Sequence, residues 1–143
     1  MKHKRLICIC AVVLVLAIVG AVWWFTPRKV APDNLEVASI RVFSGNTGEL
    51  WELDTATPEG AEVLQILRAS TLTNRSFDQL GDGFCYILEL YNANGRRLRS
   101  YTFNGQDYFH TGLFGYRLNE PEKGALETIL NAWQTSTIEN TIP

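Results

Sequence analysis

Charge is missing from the first long stretch of this chain, and cysteine, histidine and methionine are scarce throughout it. The 143 residues contain three cysteines, two histidines and one methionine. Beyond the opening apolar run the sole cysteine is Cys85, so no intrachain disulfide can brace the rest of the chain and its stability has to come from packing. His110 is the sole histidine there. A metal centre would therefore draw largely on carboxylates, and a serine or cysteine triad would have one candidate base with no nucleophile-elbow sequence beside it. No internal repeat or low-complexity block is visible. The sequence assigns no catalytic, cofactor-binding or metal-ligating residue.

What is present begins with Leu6 to Phe25, a run without a charged residue. At about 1.5 Å per residue a helix of this length reaches about 30 Å, the thickness of a bilayer's hydrocarbon core. Lys2, Lys4 and Arg5 precede the run and Trp23, Trp24 and Phe25 close it. The positive-inside rule and the aromatic belt then place residues 1–5 in the cytoplasm and everything after Phe25 outside the plasma membrane. The competing reading is a cleaved signal peptide cut after Val19-Gly20-Ala21, but the apolar run continues through two tryptophans that suit a permanent interface anchor. Cys8 and Cys10 read as small apolar residues of a membrane helix, with acylation at the membrane edge as their alternative.

Removing the first 25 residues leaves 118, enough for one domain with one core. Three of the 13 basic residues precede the run, which leaves 10 against 15 acidic residues and a formal charge of about −5 outside. That balance argues against nucleic acid, and against an anionic membrane surface as the main partner. Residues 26–36, with Pro27 and Pro32, read as a linker. Residues 37–134 read as the domain, and 135–143 as a flexible tail without periodicity.

Within the domain, Val37 to Ser44 and Glu49 to Asp54 flank a Gly-Asn-Thr-Gly turn and predict a hairpin. Thr57 offers an N-cap oxygen and Pro58 fits the first helical position, with Val63, Leu64, Ile66 and Leu67 as the apolar face of a helix ending near Ser70. Gly60 is expected to weaken its first turn. Thr71 to Phe77 predicts a strand, followed by a loop over Asp78 to Gly83. Phe84 to Tyr91 and Arg96 to Phe103 predict a second hairpin, turning at Asn94-Gly95 in a primed turn that pairs Leu88 with Tyr101. Phe84, Tyr86, Leu88, Leu90, Tyr101 and Phe103 then share the core face, and Cys85, Ile87, Glu89, Leu98, Ser100 and Thr102 the other. Tyr108 to Leu118 reads as one bent strand, and Asn119 with Glu122 as the capped start of a helix whose face is Leu126, Ile129, Leu130 and Trp133. The order describes an α+β fold: an antiparallel sheet with two helices packed on it, preceded by one transmembrane helix. The early strand pair, the Pro58 helix and the YILELYNANGRRLRSYTF hairpin resemble the small uncharacterised extracytoplasmic domains of anchored proteins and lipoproteins of Gram-positive bacteria. That resemblance implies location and fold, and no site residues.

Four constellations invite a chemical reading. Glu52 and Asp54 alternate onto one strand face beside Glu49, as a shared-proton pair or cation site would, or as a solvated face would. Asp78 to Gly83 lacks the third ligand position and closing glutamate of a calcium loop. Asn74-Arg75-Ser76 matches a glycosylation acceptor, relevant only in a eukaryotic secretory pathway. Arg96, Arg97 and Arg99 sit at the hairpin tip, where Arg97 and Arg99 alternate onto one side near Tyr91 and Tyr101. Guanidinium groups among rings can grip carboxylates or phosphates, so Arg97, Arg99, Arg96 and Tyr101 are the expected contacts to an extracytoplasmic protein or anionic ligand. A non-catalytic binding module is the leading expectation. A structural or regulatory subunit of a membrane complex and a hydrolytic or metal-dependent enzyme are the alternatives.

Overall fold

A computed structural model of the chain describes residues 2–77, 86–104 and 107–141, with side chains described between residues 4 and 133 of those stretches. Helix α1, Lys2–Phe25, carries the apolar run, which is long and apolar enough to cross a membrane and is exposed along its length. Eight antiparallel strands form one sheet: β1 (Arg28–Lys29), β2 (Ser39–Ser44), β3 (Leu50–Asp54), β4 (Thr71–Ser76), β5 (Tyr86–Tyr91), β6 (Arg97–Phe103), β7 (Tyr108–Thr111) and β8 (Phe114–Asn119). Their order across the sheet is β1-β4-β8-β7-β6-β5-β2-β3. Helix α2 is Pro58–Ala69 and helix α3 is Ala125–Thr141. The fold is α+β with three helices.

Period-two alternation decides the sheet's faces. Ile40, Val42, Tyr86, Leu88, Leu90, Tyr101, Phe103 and Phe109 point to one buried face, and Leu88 pairs with Tyr101 as expected. Phe84 and Cys85 lie outside the described residues. Phe103 and Phe109 meet at 4.6 Å between ring centres, tilted by 46°, in the middle of this face. Full burial of such a side chain contributes about 1.5–3 kcal/mol. Val63, Leu64 and Leu67 of α2 and Leu126 and Leu130 of α3 complete the core. Trp133 of α3 meets Trp51 of β3 at 6.0 Å, and Tyr86 donates to Asn131 Oδ1.

The structure departs from the sequence reading at five places. Residues 26–36 do not form a linker: Arg28 and Lys29 pair with Leu72 and Thr71, and Val30 and Ala31 are fully buried. The Val30 and Ala31 amides donate to the Ser70 and Leu67 carbonyls, so this segment closes the C-terminal end of α2. The 108–118 stretch is two strands, because Gly112 takes φ +61 in a tight turn that pairs Thr111 with Phe114. Helix α3 starts at Ala125 rather than after Asn119, its first amides being capped by the Glu120 carboxylate, which accepts from Gly124 and Leu126. Its backbone continues to Thr141, past the point where the sequence reads as a tail.

The fifth departure is the hairpin turn. Gly95 N–H donates to the Asn92 carbonyl, Asn92 pairs with Arg96, and positive φ falls on Gly95 alone. The loop is therefore three residues, Ala93 to Gly95, and a bulge at Leu98 restores the register to Leu88 opposite Tyr101. Two one-residue shifts cancel.

Gly60 has a role its helix propensity hides. Thr57 caps α2 by accepting from the Gly60 amide, and both its amide and its hydroxyl donate to the Asp54 carbonyl. A methyl group at position 60 would fall inside contact distance of that same carbonyl. Alanine favours a helix interior by about 1 kcal/mol, yet this close approach should dominate, and Gly60→Ala is expected to lose about 1–3 kcal/mol of stability. Urea unfolding of the full chain in micelles measures it; a stabilised variant would show that the first turn has room to move.

Candidate functional site

The bulge at Leu98 redistributes the three arginines. Arg97 stands opposite Tyr91 and Arg99 opposite Leu90, so the two side chains leave opposite faces of the sheet instead of sharing one. Leu98, the extra residue, packs against the core cluster. Arg96 is exposed in the turn, where its amide donates to Asn92 Oδ1. Tyr101 is buried and its hydroxyl donates to the Val30 carbonyl at 2.8 Å. It is a wall of the site and a lock on the segment after β1, rather than an exposed contact.

On the outer face, Arg97 is spoken for. Its Nη1 lies 2.8 Å from Glu89 Oε1, Tyr91 donates to Glu89 Oε2 at 2.8 Å, and the Arg41 guanidinium lies 4.7 Å over the Tyr91 ring. Arg41 in turn pairs with Glu52 at 3.2 Å. A ladder of charge and hydrogen bonds thus crosses β3, β2, β5 and β6, and it consumes Glu52. Asp54 instead accepts from the Ala56 amide, and Glu49 accepts from the Thr47 hydroxyl, so the three carboxylates do not converge into a pair or a cation site. Among the described residues no group of three or more metal-ligating side chains comes together. His110 stands in β7 opposite Thr102 and Gly115, half-buried. The acidic loop 78–83 lies outside the described residues.

On the inner face, Arg99 joins residues that the sequence places far away. Strand β7 is short and pairs with β6 only through Thr102 and Phe103, which leaves the first half of β6 without a neighbour on that side among the described residues. An opening of about 470 Å³ runs along that free edge, bordered by Arg97, Arg99, Thr102 and His110 among others, and on the inner face a cavity of about 390 Å³ is lined by Arg28, Lys29, Arg99, Tyr101, Tyr116 and Leu72, among others. Among the described residues no carboxylate lines it. Lys29 is paired at 3.1 Å with Asp33, and Arg28 lies 5.0 Å over the Trp23 ring. Arg99 makes no ion pair among the described residues. Burial pushes the Tyr101 phenol above its ordinary value, while the Arg99 and Arg28 charges pull the other way. A larger opening of about 460 Å³ between α2 and α3 sets Glu62 and Glu122 against Lys123 and so carries no excess of positive charge.

Beside the cavity, Arg75 occupies an aromatic enclosure. Its guanidinium lies 3.8 Å from the Trp23 ring centre and within 5.4–5.6 Å of Trp24, Phe114 and Tyr116. It is 7% exposed, and its three guanidinium nitrogens have no hydrogen-bond partner among the described residues. Ring faces supply the compensation, at about 2 kcal/mol for a desolvated contact. Sequence reasoning misses Arg28, Lys29 and Arg75, because it assigns the first two to a tether and the third to a glycosylation acceptor. The signal available for Arg28 and Lys29 is their position directly after the apolar run. No family model, curated protein or solved structure matches this chain.

Glu89 offers a direct test of the outer ladder. Burial pushes its carboxyl up, but hydrogen bonds from Arg97 and Tyr91, the Arg97 charge and Ser100 outweigh that and hold it below the ordinary range. A depressed carboxyl adds stability above its unfolded value of about 4.3, and that stability is lost as pH falls through the folded value. Arg97→Ala should raise the Glu89 titration and shift acid unfolding to higher pH. NMR titration of the Glu89 carboxyl reads the first effect and an acid melt the second; an unmoved titration would detach Arg97 from Glu89.

Proposed function

We propose that this is a single-pass membrane protein whose domain lies outside the membrane and serves as a non-catalytic binding module for an anionic group, held in the Arg28–Arg99 cavity. The observation that carries this reading is the gathering of Arg28, Lys29 and Arg99 around one opening, in a part of the chain that is otherwise acidic. Like charges brought together repel, and an anion offsets that cost. The lining supplies guanidinium and ammonium donors, and the guanidinium fork matches carboxylate and phosphate oxygens. Such groups hold and orient an anion. Arg99 is the residue whose charge is uncommitted, and the tyrosine walls give the site shape.

A hydrogen bond to a charged group is worth about 1.5–3 kcal/mol, so Arg99→Ala should weaken anion binding at least about tenfold. The probe is inorganic pyrophosphate, titrated by NMR into the full chain in uncharged micelles. Expected are shifts at Arg28, Arg99 and Tyr116, and little change in folding, since exposed charges contribute little to stability. Equal affinity in the variant would return Arg99 to the solvated surface. Arg97→Ala should leave binding intact.

The orientation has its own test, motivated by Lys2, Lys4 and Arg5 before the apolar run and the tryptophans after it. Protease added to intact cells should degrade a C-terminal tag and spare an N-terminal one. The opposite protection would invert the topology.

A further inference from the structure

We infer that the end of the sheet next to α1 rests on the bilayer that α1 crosses, with Phe77 and Leu113 seated in its interfacial layer. The inference rests on reading α1 as a spanning helix. Its first support is the length of the connection. The helix ends at Phe25 and β1 begins at Arg28, so Thr26 and Pro27 are all that separates helix from sheet. The Thr26 amide and hydroxyl both donate to the Val22 carbonyl, which continues the last turn. Two residues reach about 7 Å at most. The domain cannot rise away from the surface from which α1 emerges.

The second support is what touches the outer end of α1. Trp24 meets Phe77 at 5.1 Å and Phe114 at 6.0 Å, and Trp23 meets Phe114 at 6.2 Å and the Arg75 guanidinium at 3.8 Å. Tryptophans that close an apolar span settle at headgroup depth. The domain residues in ring contact with them are held at that depth too.

The third is exposure. Outside α1 the large apolar side chains left open among the described residues are Leu50, Phe77 and Leu113, and Phe77 and Leu113, at 67% and 77%, belong to this end. Phe77 follows β4, and Leu113 forms the tip of the β7–β8 turn beside Phe114. With Phe25, 80% exposed, they extend the apolar surface of α1 sideways rather than forming a separate patch. A lipid bilayer is the surface with which that patch is already continuous.

Charge agrees. The antiparallel pairings bring the β5–β6 turn to the same end of the sheet as the β7–β8 turn, so Arg96, Arg97 and Arg99 lie toward this end. The β2–β3 turn, with Glu49, and the residues after β8, with Glu120 and Glu122, lie at the opposite end. The same pairings bring Asp54 to this end too, on the edge strand β3 farthest from β1, so the basic and aromatic residues gather on the part of the end nearer α1. The overall charge of the outer part hides this local arrangement.

The test uses the full chain with its three native cysteines replaced by serine, one copy per nanodisc of phosphatidylcholine with phosphatidylglycerol. An environment-sensitive fluorophore is placed at Leu113→Cys, at Asn46→Cys in the exposed β2–β3 turn, or at Cys10 restored within α1, and nitroxide-bearing lipids serve as quencher. Labels at Leu113 and Cys10 should be quenched several-fold more than the label at Asn46. Quenching at Cys10 with Leu113 as dark to lipid as Asn46 would overturn the docking and leave the span standing. Absence of quenching at all three would overturn both. A blue shift at Leu113 that appears only when discs hold two copies, without lipid quenching, would assign the patch to a second copy of the chain and overturn the inference.

Discussion

The passage from α1 into the sheet constrains everything else in this protein. Between a helix with no buried apolar face and a strand two residues long stand Thr26 and Pro27 alone, and the chain then dives at Val30 and Ala31 into the core. Those two residues satisfy the end of α2 through the Leu67 and Ser70 carbonyls, and the Val30 carbonyl receives the Tyr101 hydroxyl. One short segment thus ties an apolar helix, the β1–β4 edge, α2 and the central strand β6 together. Arg75, held among Trp23, Trp24, Phe114 and Tyr116, locks the helix end from the other side. Because the Arg75 guanidinium has no hydrogen-bond partner among the described residues, close ring faces compensate its burial, and the enclosure has little freedom to loosen.

The two sheet faces use arginine for different ends. On the outer face, Arg41 and Arg97 are spent on Glu52 and Glu89, and the charge ladder they form runs across four strands. On the inner face, Arg99 is set free by one extra residue, Leu98, which passes the side chain from the outer ladder to the cavity beside Arg28. A single backbone irregularity decides whether a strand-end arginine braces the outer face or lines the inner cavity. Bulges commonly re-aim side chains in this way.

Much of the domain was legible because its elements carry local signals. The Thr57-Pro58 start of α2, the alternation of Tyr86, Leu88, Leu90, Tyr101 and Phe103, and the Leu126-to-Trp133 face follow from capping chemistry and from the two periods of side-chain direction, which act over a few neighbours. The arginine site was half legible. Arg97 and Arg99 do border one opening at the β6 edge, but from opposite faces of the sheet, since alternation counts residues and cannot see a bulge.

The sequence alone determines that Leu6 to Phe25 is an apolar helix, that the remainder is α+β, and which residues of the central hairpin face the core. Each of these depends on contacts between residues a few positions apart. Tertiary structure alone decides that Arg28 and Lys29 join the sheet and Val30 and Ala31 the core instead of forming a tether, that Gly60 must lack a side chain, and that Arg28 and Arg99 face one cavity. Those outcomes depend on groups brought together by the fold, distant in the chain as Ala31 and Leu67 or Arg28 and Arg99 are, or nearer but outside any helix or strand period as Asp54 and Gly60 are. No local period records that a buried amide there finds its acceptor, or that a carbonyl there leaves no room for a methyl group.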